Sequence, residues 1–156
     1  MGSHFARKGG IAVLRFAKKA LQEGLPIKVK IISSLRLGDG VPTDVRDKSY
    51  YDRDLKLLDI ENVSYYNQLP NQKVIELLHR SHFQIIPSLQ DIAAFSVVEG
   101  LSTATPSIGS NIGAIPEWIT DNSNGYIIDL PVDENQMWKG WKEQNQLSDK
   151  VHIFEN

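Results

Sequence analysis

The chain has 156 residues, of which 41% are hydrophobic, and it carries a net charge of −2 and no cysteine. This length and composition predict one folded domain with a real core. The small net charge predicts no binding of nucleic acid and no strong attraction to anionic membranes, and the lack of cysteine excludes disulfides and thiolate chemistry. No apolar run approaches the ~20 residues of a membrane helix, and no signal peptide is visible. A cytoplasmic or membrane-peripheral location is therefore predicted.

The first notable feature is a cationic turn, Arg7-Lys8-Gly9-Gly10, placed directly before a helical pattern. Apolar residues recur at spacings of three and four until Gly24 and Pro26, as expected for one face of a helix. Cations, backbone N–H groups and the positive helix end all favour an anion such as phosphate, and glycine permits close approach. The same pattern also fits a solvated basic turn whose glycines serve only its geometry.

The middle of the chain alternates strands and helices. Residues 27–32 are predicted as a parallel strand, and residues 35–51, which are polar and poorly patterned, as a surface loop. A short helix within residues 50–58 and a strand at residues 63–66 follow. A helix is then predicted after Pro70, with Asn71 as its N-cap.

Two histidines, His79 and His82, lie near the end of this helix. As metal ligands they lack a third partner at a suitable spacing, so no metal site is predicted and ordinary polar roles are favoured.

An acid pair follows the next apolar run, which ends at Pro87. Asp91 and Glu99 are eight residues apart, and a helix is predicted from Phe95 with Glu99 in its early turns. A carboxylate there lies close to the carboxyl edge of a parallel sheet, where α/β proteins bind ligands. Taken alone, each acid also has an ordinary explanation, as a loop or cap residue for Asp91 and as a helix charge for Glu99.

The C-terminal part has simpler signals. A glycine-containing turn and Pro116-Glu117 start a short helix, residues 126–128 form a strand, and Asp133 is predicted to begin a last helix. On that helix Met137, Trp138 and Trp141 share one stripe, and packing is favoured over stacking on a base. The alternation predicts an α/β fold with a Rossmann-like, doubly wound parallel sheet. We expect one domain over residues 1–156 that looks truncated at both ends.

The stretch from Phe83 to Glu117 resembles the C-terminal, donor-binding domain of retaining glycosyltransferases of the GT-B type, in the group 1 or family 4 class. The residues that match in order and spacing are Asp91, Ser96, Val98, Glu99, Pro106, Gly113, Ile115, Pro116 and Glu117. The chain departs from the usual pattern where Ala93 and Ala94 replace Phe-Gly, where Ala104 replaces Gly, and where Gly100 replaces Ala.

The resemblance implies that this is half of a two-domain enzyme whose N-terminal acceptor domain is absent, and that the fragment alone is inactive. The implied donor is a nucleotide-diphosphate sugar, with no metal or other cofactor required. A glycan or polysaccharide pathway, and peripheral membrane association through the absent half, are also implied.

The resemblance further implies a set of site residues. The residues with catalytic roles are Arg7 and Lys8 for the diphosphate, Asp91 for the transferred sugar and Glu99 for the ribose hydroxyls. The binding residues are Gly9, Gly10, Pro87, Ser88, Leu89, Ser96, Gly113 and Ala114, with the base against Pro87 to Leu89.

Three other functions fit part of the pattern. A non-catalytic nucleotide-sugar-binding or partner-docking module is favoured by Ala93, Ala94 and Ala104. An unrelated doubly wound phosphate binder, such as a sugar-phosphate sensor, would explain the cationic turn. A glycosidase would explain the two acids but leaves the cationic turn without a role.

Overall fold

The computed structural model describes residues 4–38, 43–45 and 47–142. These residues form two compact units, the first running to Gln68 and the second comprising Leu69–Trp141.

The first unit is built on helix α1 and two parallel strands. Its elements are α1 (Gly10–Gln22), β1 (Val29–Ile32), a 3-10 turn (Lys48–Tyr51), α2 (Asp52–Leu55), a second 3-10 turn (Lys56–Asp59) and β2 (Val63–Tyr66). β1 and β2 pair in parallel from Val29 opposite Val63 onward. The apolar stripe of α1 faces the core, with Leu14 and Ala17 fully buried, and the helix ends before Gly24 as predicted.

The polar loop after β1 is anchored by buried side chains. The hydroxyl oxygen of Tyr51 accepts a hydrogen bond of 2.8 Å from the N–H of Val45. Asp44 is buried and accepts one of 3.3 Å from the N–H of Gly38. Helix α1 is tied to α2 by a bidentate ion pair in which Arg15 donates to Asp54 at 2.7 and 2.9 Å. The contacts of Tyr51 and Asp44 hold the described parts of the loop, although these parts form no regular strand.

The second unit is a three-stranded parallel sheet with helical crossovers. Its elements are α3 (Asn71–His79), β3 (Gln84–Ile86), α4 (Phe95–Ser102), β4 (Ser107–Ser110), α5 (Ile115–Trp118) and β5 (Gly125–Ile128), followed by a 3-10 turn (Lys139–Lys142). The strand order is β3-β4-β5, and both pairings are parallel. The carboxyl ends of the three strands therefore meet at one edge, which is the edge that the sequence predicts for the acid pair.

The core of the second unit joins α4 and α5 to one face of this sheet. Its buried members are Ile86, Ala94, Val97, Ile115 and Ile119. The prediction of an α/β fold with parallel strands is confirmed, and within the described residues the strands form two sheets, one of two strands and one of three.

The helix predicted from Asp133 is wrong. Residues 131–139 form a hairpin, closed by an antiparallel bridge between Val132 and Trp138. Asp133 Oδ1 accepts hydrogen bonds of 3.0 Å from the N–H groups of Asn135 and Met137, and Gln136 has a φ of 57°. Aspartate side chains stabilise turns with the same bonds that cap helices, so the sequence signal is ambiguous. Trp138 is buried, which agrees with packing; the side chain of Trp141 lies outside the described residues.

The prediction that Asn71 caps α3 is also wrong. The helix begins at Asn71 itself, the capping position is Pro70, and no side chain caps the end. The side chain of Asn71 donates instead to Glu99 on α4.

Candidate functional site

The cationic turn in the first unit is closed by its own backbone. The N–H of Lys8 donates to His4 at 3.1 Å, and the N–H groups of Gly9 and Gly10 donate to Ala6 and Phe5, each at 2.9 Å. Gly9 has a φ of 76° and precedes the first residue of α1, a conformation that glycine adopts without strain. The turn therefore delivers the chain directly to the positive end of a 13-residue helix.

The second glycine of the turn is required by packing. A Cβ at Gly10 would lie 2.2 Å from the ring of Phe5, which is buried in the core. Because the N–H groups of both glycines already donate within the turn, an anion here would be bound by the side chains and by donors later in the first helical turn.

Arg7 and Lys8 are both half-buried at this turn. The Nε atom of Arg7 is buried and has no hydrogen-bond partner among the described residues. Buried donors are normally satisfied, so an unpaired guanidinium N–H is the kind of group that an external acceptor completes.

In the second unit, the first residues of the loop after β3 are buried and hydrogen-bonded. Ser88 is fully buried, and Pro87 and Leu89 are buried beside it. The hydroxyl of Ser110, at the end of β4, donates a hydrogen bond of 2.6 Å to the carbonyl of Ser88. The residues predicted to lie against the base, 87–89, are thus buried at the carboxyl edge of the sheet, and Ser88 is bonded to the end of β4.

Asp91 organises the entry to α4. Its Oδ1 accepts hydrogen bonds from the N–H groups of Ile92 at 2.9 Å and Ala94 at 3.2 Å. Its Oδ2 lies 3.5 Å from the hydroxyl of Ser88. The two oxygens have different partners, so a capping role for Oδ1 is compatible with a ligand at Oδ2.

Gly113 lies directly against Asp91. A Cβ at Gly113 would be 2.0 Å from the carbonyl oxygen of Asp91, and its φ is 53°. Its N–H donates to the carbonyl of Gln136 at 3.1 Å, so the backbone donor of this predicted binding residue has a protein partner in the structure. Of the residues predicted for the site, the structure brings Ser88, Asp91 and Gly113 together, with Ala114 next in the chain.

Glu99 lies on α4 with Ser96 three residues before it, so both lie on one face of the helix. Glu99 is half-buried, and its Oε1 accepts a hydrogen bond of 3.1 Å from Nδ2 of Asn71. Sequence analysis missed this contact, and no local signal could have found it, because the two residues are 28 positions apart on different helices.

Gln90 is a second residue that sequence analysis missed. It lies between Ser88 and Asp91, and its Oε1 is buried without a hydrogen-bond partner in the described part of the chain. An acceptor held in this loop could take a hydrogen bond from a ligand.

Across residues 4–38, 43–45 and 47–142, no three His, Asp or Glu side chains converge as metal ligands would. None of the helices there combines the length and apolar character needed to cross a bilayer.

Comparison with protein families gives a match over most of the chain. The family model described as glycosyl transferases group 1 matches residues 5–153, which is nearly the whole chain and includes the cationic turn and the acid pair. No curated protein sequence matches the chain.

Proposed function

The chain belongs to the group 1 glycosyltransferases, and we propose that it supplies the donor-binding residues for retaining transfer from a nucleotide-diphosphate sugar. In that reaction the bond between the anomeric carbon and the diphosphate oxygen breaks, and a bond to an acceptor hydroxyl oxygen forms. The leaving nucleoside diphosphate takes the electron pair, and the acceptor proton is released.

The cationic turn would stabilise the diphosphate as charge builds on it. Arg7 offers a planar fork of donors and Lys8 a compact charge, and both suit phosphate oxygens. Because they are half-buried at the start of α1, the helix dipole adds to their effect. Two cations in this position would carry the charge stabilisation without a metal ion.

The acid pair would hold the rest of the donor. Carboxylates accept hydrogen bonds from hydroxyls, so Asp91 would bind the transferred sugar and Glu99 the ribose. The rigid loop at Pro87 to Leu89 would lie along the base. Fixed positions for these groups lower the entropic cost of reaching the reactive geometry.

The observation that carries the proposal is the buried and unpaired Nε of Arg7 at the cationic turn. A solvated basic turn, the competing interpretation, would leave the guanidinium in water with its donors satisfied there. An anionic ligand explains why a guanidinium N–H is buried at this point without a protein acceptor.

One observation favours the docking or non-catalytic alternative. The N–H of Gly113 already donates to Gln136, so a diphosphate that needs this donor must displace the hairpin at residues 131–139. That alternative predicts that Glu99→Ala leaves transfer at the wild-type level in a protein that also carries an acceptor-binding domain.

Calorimetric titration of the chain with UDP, GDP, ADP and a hexose 1-phosphate tests the proposal. We expect one nucleoside diphosphate to bind, more tightly than the sugar phosphate, because the ribose and base add contacts. Tighter binding of the hexose 1-phosphate would favour a sugar-phosphate sensor, and binding of none of the three nucleotides would contradict the proposal.

A further inference from the structure

We propose that Asn71 is a positioning residue that holds the carboxylate of Glu99 ready for the ribose hydroxyls of the donor; the inference rests on the proposed function. Asn71 is the first residue of α3, and its Nδ2 donates to Oε1 of Glu99 on α4 at 3.1 Å. The contact joins two helices of the same unit.

The side chain of Asn71 does not cap its own helix, and the residue in the capping position is Pro70. Inside a helix asparagine is a poor helix former, and at the first position proline or an acidic residue would stabilise the helix better. The side chain is therefore better explained by what it contacts across the interface than by the start of α3.

A neutral amide is well suited to orient Glu99. It occupies one lone-pair direction of Oε1 and leaves the other oxygen for a ligand, since a carboxylate has about four such directions. A lysine or arginine in the same place would neutralise the charge that makes the carboxylate a strong acceptor. The positive end of the nine-residue helix α3 also lies at this point and attracts a carboxylate.

Holding the carboxylate in advance lowers the cost of binding. A free glutamate side chain must lose rotamer freedom when it binds a ligand, and a bond that already fixes it removes part of that loss. Since two vicinal ribose hydroxyls require an acceptor in one orientation, Asn71 contributes to selecting ribose over a sugar that lacks them.

The test compares Asn71→Ala and Asn71→Asp with Gln72→Ala, the exposed neighbour on the same helix turn. The ligands are whichever of UDP, GDP and ADP the wild-type chain binds and the 2′,3′-dideoxy form of the same nucleotide. Asn71→Asp is the discriminating variant. A carboxylate at the helix start stabilises α3, but it repels Glu99 where asparagine attracts it.

We expect both Asn71 variants to weaken binding of the ribonucleotide roughly two- to tenfold, the cost of immobilising one rotamer-rich side chain on binding. Binding of the dideoxynucleotide should change little, Gln72→Ala should match wild type, and thermal unfolding should show Asn71→Asp folded.

Three outcomes would overturn the inference. In the first, both Asn71 variants bind the ribonucleotide like wild type while Glu99→Gln binds it more weakly; this leaves the proposed function intact. In the second, the variants lose affinity equally for both nucleotides, which indicates a general structural effect. In the third, the wild type binds none of the three nucleotides, and the proposed function fails as well.

Discussion

Ala94 and Ala104 adopt the left-handed backbone conformation, with φ of 49° and 56°. Both are positions where the resemblance leads one to expect glycine. A residue with a Cβ in this conformation costs roughly 1–2 kcal/mol. The chain keeps the backbone path that glycine would give, so these alanines do not by themselves argue that the site has been lost.

Replacing Ala104 by glycine should therefore stabilise the chain. Ala104 is exposed, so the change loses little packing, and we expect a gain of about 0.5–1 kcal/mol in the free energy of unfolding. Chemical denaturation would measure it. Gly24→Ala is the matched control: Gly24 has a φ of 68° with open space around it, and that change should lower stability. No gain for Ala104→Gly would mean that its conformation is not strained.

Alkaline pH should destabilise the chain through Tyr51. Burial raises the pKa of Tyr51 well above its usual value of 10.0, and burial also raises the pKa of Tyr65. The folded state thus favours the neutral phenol, so this stability is complete below pH 10 and is lost as the pH rises further. Denaturation at rising pH should show the loss, and Tyr51→Phe should reduce its slope. An unchanged slope would contradict the assignment.

At the scale of elements, α4 approaches β3 closely at Gly100, where an added Cβ would force a buried side chain to shift. A Cβ at Gly100 would lie 2.1 Å from Oε1 of Gln84, a buried side chain that also accepts a hydrogen bond from Ser107 at 3.2 Å. Gly100 stands where the family pattern usually has alanine, and the buried Gln84 on the neighbouring strand fills the space that an alanine side chain would need.

This pairing predicts a coupled pair of substitutions. Gly100→Ala should lower the free energy of unfolding by about 1–3 kcal/mol, because it overpacks the helix against the strand. The same change in a Gln84→Ala background should cost clearly less, since the obstructing amide is gone. Denaturant unfolding of the four proteins in this cycle gives the coupling. Equal costs in both backgrounds would show that the glutamine is not the obstacle.

The elements show where sequence patterns suffice and where they do not. The stripe of α1 predicts its burial, because Leu14 and Ala17 recur at helical spacing and are fully buried. The hairpin at residues 131–139 could not be predicted from the sequence. Asp133 accepts hydrogen bonds from backbone N–H groups in this turn, and an aspartate that caps a helix makes the same kind of bond. The contact of Asn71 with Glu99 could not be predicted either, because no local sequence pattern specifies a bond between two helices.

At the scale of the whole molecule, the family match covers residues 5–153 and so includes both parts of the predicted donor site. In the second unit, parallel pairing brings the carboxyl ends of three strands to one edge, where Asp91 contacts Gly113. That clustering follows from the order of strands and loops, so the sequence could predict it. The individual partners of each oxygen could not be predicted, since they depend on rotamers and loop paths.

We propose that donor binding depends on both the cationic turn and the acid pair. If so, substitutions in either place must weaken the binding of one nucleotide. The variants are Lys8→Ala and Glu99→Gln, with exposed Lys28→Ala as the control for removing a cation.

The deciding measurement is the calorimetric affinity of these variants, and of the double variant, for the nucleoside diphosphate that the wild type binds. We expect each single substitution to weaken binding about tenfold, the double variant to bind more weakly still, and Lys28→Ala to match wild type. Wild-type affinity in either Lys8→Ala or Glu99→Gln would contradict the proposal that both groups serve donor binding.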